Sequence, residues 1–173
     1  MNKKVFYIVA GIATVVLVFY TYLGGFTAAD TSLATSQTMY VAGQSFEGAV
    51  EDKALGQAFQ RVSQVLQEKK LEGHPGNIYY NDPDRSGDSL RAFIGIIIPD
   101  STVKLPEGYT LRTVPGGRKV VRAEATANIA LLPKKLYGAV FDYAKEEKLK
   151  LEEFYVEWFP EDDKGVLEVP VKE

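Results

Sequence analysis

A carboxylate set between aromatic side chains is the feature of this sequence best suited to binding chemistry. In the stretch Glu153–Asp163, Glu157 has Tyr155 two positions before it and Phe159 two positions after it. Strand side chains alternate between faces, so these three would share one face if the stretch is a β-strand. Aromatic rings attract cations and a carboxylate completes the match, which suits a site for an apolar or cationic ligand. The alternative is a solvated glutamate on an exposed face.

The remaining residue types give little indication of a catalytic or metal site. The sequence has no cysteine and one histidine, His74, which lies between Gly73 and Pro75 and is predicted to be a loop residue. A histidine-based triad or a multi-histidine metal site cannot be built from one histidine. The acidic residues of 82–88 lack the spacing and the closing glutamate of an EF-hand, so a turn is predicted there. No metal and no cofactor are expected.

Length and composition indicate one globular domain. The chain has 173 residues, of which 46% are hydrophobic and 25% are charged. These values are ordinary for a folded protein and too apolar for a disordered one. The formal net charge of −3 argues against a nucleic-acid-binding protein, which would present a basic face.

An uncharged N-terminal stretch predicts a membrane anchor. Residues 5–23 carry no charge, and as a helix they would be about 28 Å long, close to the hydrocarbon thickness of a bilayer. Tyr20 and Tyr22 stand at the far end, where interfacial aromatics are found. The competing interpretation is a secretory signal cleaved near Ala28-Ala29, but signal cores run to only about 7–15 residues.

The positive charges predict the orientation of this anchor. Lys3 and Lys4 precede the apolar stretch, and no lysine or arginine follows until Lys53. The positive-inside rule therefore places residues 1–4 in the cytoplasm and the domain outside it, as a single-pass membrane protein. Residues 24–37 are small and polar and are predicted to be a flexible linker.

From residue 38 the chain is predicted to run through one pattern twice, over about 38–99 and 109–173. Each pass reads as strand–helix–strand–strand, with the second about 79 residues after the first. The expected fold is α+β, an antiparallel sheet with two helices on one face, behind the N-terminal transmembrane helix. A ligand would lie in the groove between the two halves. The residue 79 positions before Glu157 is Ile78, so only one half would carry the acid.

Four short segments follow one another along the chain: IYYNDP at 78–83, LRAFIG at 90–95, VPGGR at 114–118 and VEWF at 156–159. Together they resemble the GyrI-like effector-binding family. That family is related to the SOUL haem-binding proteins and to the drug-binding domains of some AraC- and MerR-type regulators. A membrane helix ahead of such a domain is similar to the testis-expressed ER-phagy receptor family.

The resemblance implies a small-molecule groove in which an acidic residue of the penultimate strand meets cationic or electrophilic ligands. By position in the motif that residue is Glu157. Aromatic residues lining the groove would come from a set of five: Tyr40, Tyr80, Tyr155, Trp158 and Phe159. The chain shows no DNA-binding domain and no extended segment after Glu173 in which the ER-phagy receptors carry their partner motif. Regulator and receptor functions are therefore not expected.

Three functions remain open. The first is a membrane-tethered module that binds a small apolar or cationic molecule with Glu157 as the charge partner. The second is an interaction or scaffold protein with a vestigial pocket and an unidentified protein partner. The third is a hydrolase of electrophilic small molecules, as some GyrI-like proteins resemble, in which Glu157 is the general acid or base. No second catalytic group is evident from spacing.

Overall fold

The structure, a computed structural model, describes residues 2–81 and 89–172. The helices are α1 (Lys3–Tyr22), α2 (Lys53–Gln67) and α3 (Leu132–Glu146). The strands are β1 (Asp30–Thr35), β2 (Met39–Gly48), β3 (His74–Tyr79), β4 (Leu90–Ile98), β5 (Thr110–Val114), β6 (Lys119–Thr126), β7 (Tyr155–Glu161) and β8 (Lys164–Pro170). The predicted turn at 82–88, with Asp82, Asp84 and Asp88, lies outside the described residues.

The eight strands of the described residues belong to one antiparallel sheet in the order β1-β6-β8-β7-β3-β4-β2-β5. The segments β2–α2–β3–β4 and β6–α3–β7–β8 follow the same order of elements and meet at β3 and β7. Both helices pack on the same face of the sheet, α2 over β2 and β4 and α3 over β6 and β8. The predicted α+β fold is confirmed.

Apolar stripes at helical spacing place the two domain helices. Asp52 begins α2, because its Oδ1 accepts a hydrogen bond from the Ala54 amide at 2.9 Å, as an N-cap does. Leu55, Val62 and Val65 then lie buried over the sheet. In α3 a proline occupies the first turn, where its missing amide hydrogen costs nothing. The buried stripe of α3 consists of Leu132, Leu136, Val140 and Ala144.

The sheet curls and encloses its second face. β1 continues into β2, and β5 into β6, with short breaks between them. Across these breaks the Ser36 amide donates to the Arg118 carbonyl and the Gly117 amide donates to the Ser36 carbonyl, both at 2.8 Å. The face without helices is therefore buried by the sheet itself. Its apolar residues are Val41, Ile78, Phe93, Val114 and Val156, each at most 4% exposed.

Residues 24–37 differ from the predicted flexible linker. They contain β1, and every residue of this strand, Asp30–Thr35, pairs with a residue of β6. The strand has little apolar alternation, and its one large apolar side chain, Leu33, is 39% exposed. Such an edge strand is held mainly by backbone hydrogen bonds, which hydrophobic periodicity does not detect.

Residues 23–27 form a hydrogen-bonded joint between α1 and the domain. The Asn128 amide donates to the Leu23 carbonyl at 2.9 Å, and the Thr27 hydroxyl donates to the Thr126 carbonyl at 2.7 Å. Lys135 Nζ donates to the carbonyls of Gly25 at 2.8 Å and of Thr27 at 2.6 Å. We refer to these contacts as the joint; they fix the end of α1 against the turn before α3.

The helix α1 is long and apolar enough to cross a membrane. None of its described side chains is buried against the domain. Its apolar surface is therefore exposed all round, which water does not favour.

Candidate functional site

The centre of the sheet, where β3 and β7 pair, positions the acidic residue singled out in the sequence. Glu157 on β7 is paired with Asn77 of β3 on one side and with Leu167 of β8 on the other. Side chains in this row point toward α2 and α3, because Leu167 belongs to the core under α3. Tyr79, two residues along β3 from Asn77, therefore points to the same face.

A cavity of about 310 Å³ lies over this row, between α2 and α3. Its floor comes from the sheet and its walls come from α2 and from the segment that begins α3. Among the lining residues that the structure describes, only Tyr79 and Glu157 are ionisable. The lining residues are Phe59, Val62, Ser63, Pro75, Asn77, Tyr79, Ile129, Pro133, Glu157 and Phe159.

Glu157 is a buried acid whose hydrogen bonding is incomplete. Its side chain is 3% exposed, and its Oε1 has no hydrogen-bond partner among the described residues. Burial disfavours the charged form and raises the pKa of Glu157 to about 7, although a hydrogen bond from Tyr79 partly opposes this shift. At neutral pH the acid is thus close to half ionised.

Tyr79 is the polar neighbour of this acid. Hydrogen bonding with the Tyr79 hydroxyl lowers the pKa of Glu157, and the pKa of Tyr79 also responds to the Asn77 side chain. Burial, followed by the nearby charge of Glu157, raises the pKa of Tyr79 well above its ordinary value. The hydroxyl therefore remains protonated and acts as a donor over the whole physiological range.

This arrangement is capable of two kinds of chemistry. An unpaired carboxylate oxygen in an apolar cavity is costly, and a cation placed beside it would offset that cost. A carboxyl group with a pKa near neutrality can also donate or accept a proton during a reaction. Both uses require a molecule that enters the cavity.

The other residues of the Tyr155–Glu157–Phe159 row have different environments. Phe159 lines the cavity beside Glu157. Tyr155 is 3% exposed and packs against α3, its ring centroid 5.6 Å from that of Tyr137 and 6.4 Å from that of Phe141. Tyr155 is thus a core residue that does not line the cavity.

Three of the predicted groove aromatics lie elsewhere. Tyr80 and Trp158 are on the enclosed face of the sheet, because each is one residue out of phase with the cavity row. There the Tyr80 ring lies 5.9 Å from that of Phe154, and the guanidinium of Arg122 lies 5.4 Å from the Trp158 ring. Tyr40 is on the helix face but packs in the core under α2, outside the cavity.

Two further expectations require correction. Ile78, taken as the counterpart of Glu157 in the first half, is paired with Val156 and points to the enclosed face. The residue beside Glu157 is Asn77. His74, predicted to be a loop residue, is the exposed first residue of β3.

The residues that sequence reasoning missed are Asn77, Tyr79 and the helix-side walls of the cavity. The signal for the first two was present: the alternation applied to β7 also separates Asn77 and Tyr79 from Ile78 and Tyr80. The missing information was the register between β3 and β7, which depends on distant pairing and not on local spacing.

A second depression of about 450 Å³ adjoins the cavity and shares Pro75, Ile129 and Phe159 with it. Its other lining residues come from the start of β3 and from the β7–β8 turn, and they include His74, Glu161 and Asp162. Because Ile129 is 51% exposed, the shared residues lie at the rim of the cavity.

Comparison with known structures shows the same fold in distant proteins. An integron cassette protein of Vibrio cholerae aligns with a TM-score of 0.63 at 14% identity, covering 82% of this chain and 95% of that protein. The protein SAV2435 bound to tetraphenylphosphonium aligns with a TM-score of 0.55 at 13% identity, covering 83% and 94%. A hydrolase from Listeria innocua aligns with a TM-score of 0.52 at 12% identity, covering 89% and 98%.

At the level of sequence, no protein of curated function matches the chain. The model of the GyrI-like small molecule binding domain, however, matches residues 30–168, which is most of the chain and extends from β1 into β8. The cavity-forming elements β3, β7, α2 and α3 all lie within the matched residues. The chain therefore belongs to the family of GyrI-like small molecule binding domains.

Proposed function

We propose that this protein is a membrane-anchored module that binds a lipophilic cation in the cavity at Glu157. The observation that carries the proposal is Glu157, a residue of the cavity lining whose Oε1 is buried and has no hydrogen-bond partner among the described residues. A cation in the cavity would supply the missing partner.

The chemistry of the cavity favours a cation over a neutral apolar ligand. Attraction between opposite charges is strong where water is excluded, and the described residues of the cavity lining include no basic side chain to compete with a ligand. Phe59, Tyr79 and Phe159 contribute aromatic rings to the same lining, and such rings attract cations through their faces. An organic cation with apolar substituents would satisfy both the carboxylate and the rings.

Two further observations support the proposal. SAV2435, which shares the fold, is described as bound to tetraphenylphosphonium, a lipophilic cation. The helix α1 is long and apolar enough to supply the anchor, and by the positive-inside rule Lys3 and Lys4 would lie on the cytoplasmic side with the domain on the other. A cleaved signal sequence would instead leave a domain without an anchor, and mass spectrometry of the membrane-extracted protein distinguishes the two.

The test is cation binding by the full chain in lipid nanodiscs at pH 8, where Glu157 is ionised. Tetraphenylphosphonium and the smaller benzyltrimethylammonium serve as probes. We expect Glu157→Gln to weaken binding at least about tenfold, since it removes the charge and retains the shape. The control is Glu161→Gln, an exposed acid of the same strand.

Equal affinities of wild type and Glu157→Gln, or no binding by either, would contradict the proposal. Loss of binding in the Glu161→Gln control as well would show a general effect of surface charge. Absence of binding by the wild type would favour a scaffold protein with a vestigial pocket.

A hydrolase is the second candidate, and one observation favours it. Glu157 has a pKa of about 7 beside the protonated hydroxyl of Tyr79, which is a workable pair of general base and proton donor. The fold neighbour described as a hydrolase has the same architecture. Turnover of an electrophilic ester or epoxide that disappears in Glu157→Gln would establish this function.

A further inference from the structure

The joint places the cavity rim beside the end of the apolar helix. The Asn128 amide is hydrogen-bonded to the Leu23 carbonyl, and Ile129, the next residue, lines both the cavity and the depression outside it. Consecutive Cα atoms are about 3.8 Å apart, so Ile129 lies within roughly 10 Å of the last turn of α1.

The length of α1 determines the depth of that rim if the helix spans a bilayer. Its 20 residues extend about 30 Å, which equals the thickness of the hydrocarbon core. Tyr22 and Leu23 would then lie at the boundary of the hydrocarbon. The headgroup region adds about 5–8 Å on each side, so Ile129 would fall within or next to it.

The side chains around the joint suit that depth. Ile129 is 51% exposed, and Phe26, in the joint itself, is 66% exposed with its ring 5.1 Å from that of Tyr20. Exposed aromatic and aliphatic side chains next to a membrane helix are typical of residues that enter the interface. The hydrogen bonds from Lys135 and Thr27 hold them there, because the joint leaves little freedom between helix and domain.

We propose that the rim at Ile129 is seated in the lipid headgroup region and that ligands reach Glu157 from the membrane interface. The ligand class is then narrowed to amphiphilic cations that partition into the bilayer surface. This inference rests on the proposed function, because it takes α1 as a membrane anchor and the cavity as a cation site. A cavity reached from bulk water is the alternative that the experiments must distinguish.

The first experiment measures depth and needs no ligand. The chain has no cysteine, so the variants Ile129→Cys and Val50→Cys can each be labelled with one fluorophore at the new cysteine. The labelled full-length proteins are placed in nanodiscs. The two positions are matched in exposure at 51% and 43%, and Val50 follows β2, at the other end of the long β1–β2 segment. Quenchers attached to the lipid near the headgroup should quench the label at 129 several-fold more than the label at 50.

The second experiment measures the route. Nanodiscs with and without anionic phosphatidylglycerol are compared for the rate constants of tetraphenylphosphonium binding. A surface potential near −30 mV concentrates a monovalent cation about threefold, within a screening length of about 8 Å. We therefore expect the association rate to rise about threefold with an unchanged dissociation rate.

The outcomes separate this inference from the proposed function. Equal quenching at positions 129 and 50, or an association rate that does not change with anionic lipid, would contradict the proposal that ligands enter from the interface. This holds even if binding requires Glu157. Failure of all probes to bind would overturn the proposed function, and the depth measurement alone would then decide whether the rim is seated in the membrane.

Discussion

Asn77 and Glu157 are paired residues on β3 and β7, at the line where the two halves of the sheet meet. This pairing brings Tyr79, two residues further along β3, within hydrogen-bonding reach of the Glu157 carboxylate. One acid of the cavity lining thus has a polar neighbour from the other half of the domain and one oxygen without a hydrogen-bond partner among the described residues.

Glu157→Gln should stabilise the unliganded protein above neutral pH. The pKa of Glu157 is about 7 in the folded chain against 4.5 for an ordinary glutamate, so between these values the folded state binds more protons. The contribution of Glu157 to the free energy of unfolding is therefore lost as the pH rises through this range, by up to about 3 kcal/mol. The free energies of unfolding of wild type and variant, measured in detergent at pH 5 and pH 8, should diverge at pH 8. A constant difference between the two pH values would contradict the assignment.

Tyr79→Phe should shift the pH at which cation binding is half-maximal upward. The hydroxyl stabilises the ionised form of Glu157, so its removal raises the pKa of that acid further. At pH 7 binding weakens, and near pH 9 it recovers. Tyr80→Phe is the matched control, a neighbouring tyrosine on the enclosed face. Binding profiles of Tyr79→Phe and Tyr80→Phe that coincide would argue against the hydrogen bond.

Gly95→Ala should destabilise the domain by about 2 kcal/mol or more. Gly95 pairs with Gly43 where β4 and β2 approach closely, and a Cβ on Gly95 would lie 2.3 Å from the Ala42 carbonyl oxygen. The strands must move apart to accept it, which has the cost of overpacking. Gly56→Ala, in α2 with open space around it, should leave stability unchanged or raise it by about 0.5–1 kcal/mol. Chemical denaturation compares the two, and equal effects would be inconsistent with the close approach.

Lys135→Met should loosen the joint between α1 and the domain. The ammonium group makes two hydrogen bonds to the backbone carbonyls of the joint, and methionine retains most of the apolar stem but makes neither. The distribution of distances between nitroxide labels attached at positions 15 and 50 should broaden in this variant. Lys134→Met, an exposed neighbour, provides the control. A distribution as narrow as that of wild type would show that the joint does not depend on Lys135.

The fold could be predicted where apolar periodicity is strong. The stripes of α2 and α3 and the nearly continuous apolar run Leu90–Ile98 of β4 define their elements through burial. β1 was not predicted, because the strand has small polar side chains and is held in the sheet by backbone hydrogen bonds to β6. The curl that encloses the second face also depends on distant pairing, which local sequence does not express.

The site could be predicted in part. Alternation along β7 separates Glu157 and Phe159 from Trp158, and the structure places the first two at the cavity. The family resemblance implies Tyr80 and Trp158 as groove residues, although alternation sends both to the other face. Tyr79 could not be paired with Glu157 without knowledge of the β3–β7 register.

Proton release on cation binding tests the central claim most directly, because it reports the ionisation of Glu157 in the same event. Calorimetry of tetraphenylphosphonium binding at pH 7, in buffers of different ionisation enthalpy, counts the protons released. The pKa of about 7 predicts release of about half a proton by wild type, falling toward zero by pH 9, and none by Glu157→Gln. Binding without proton release at pH 7, or equal release by wild type and variant, would contradict the account.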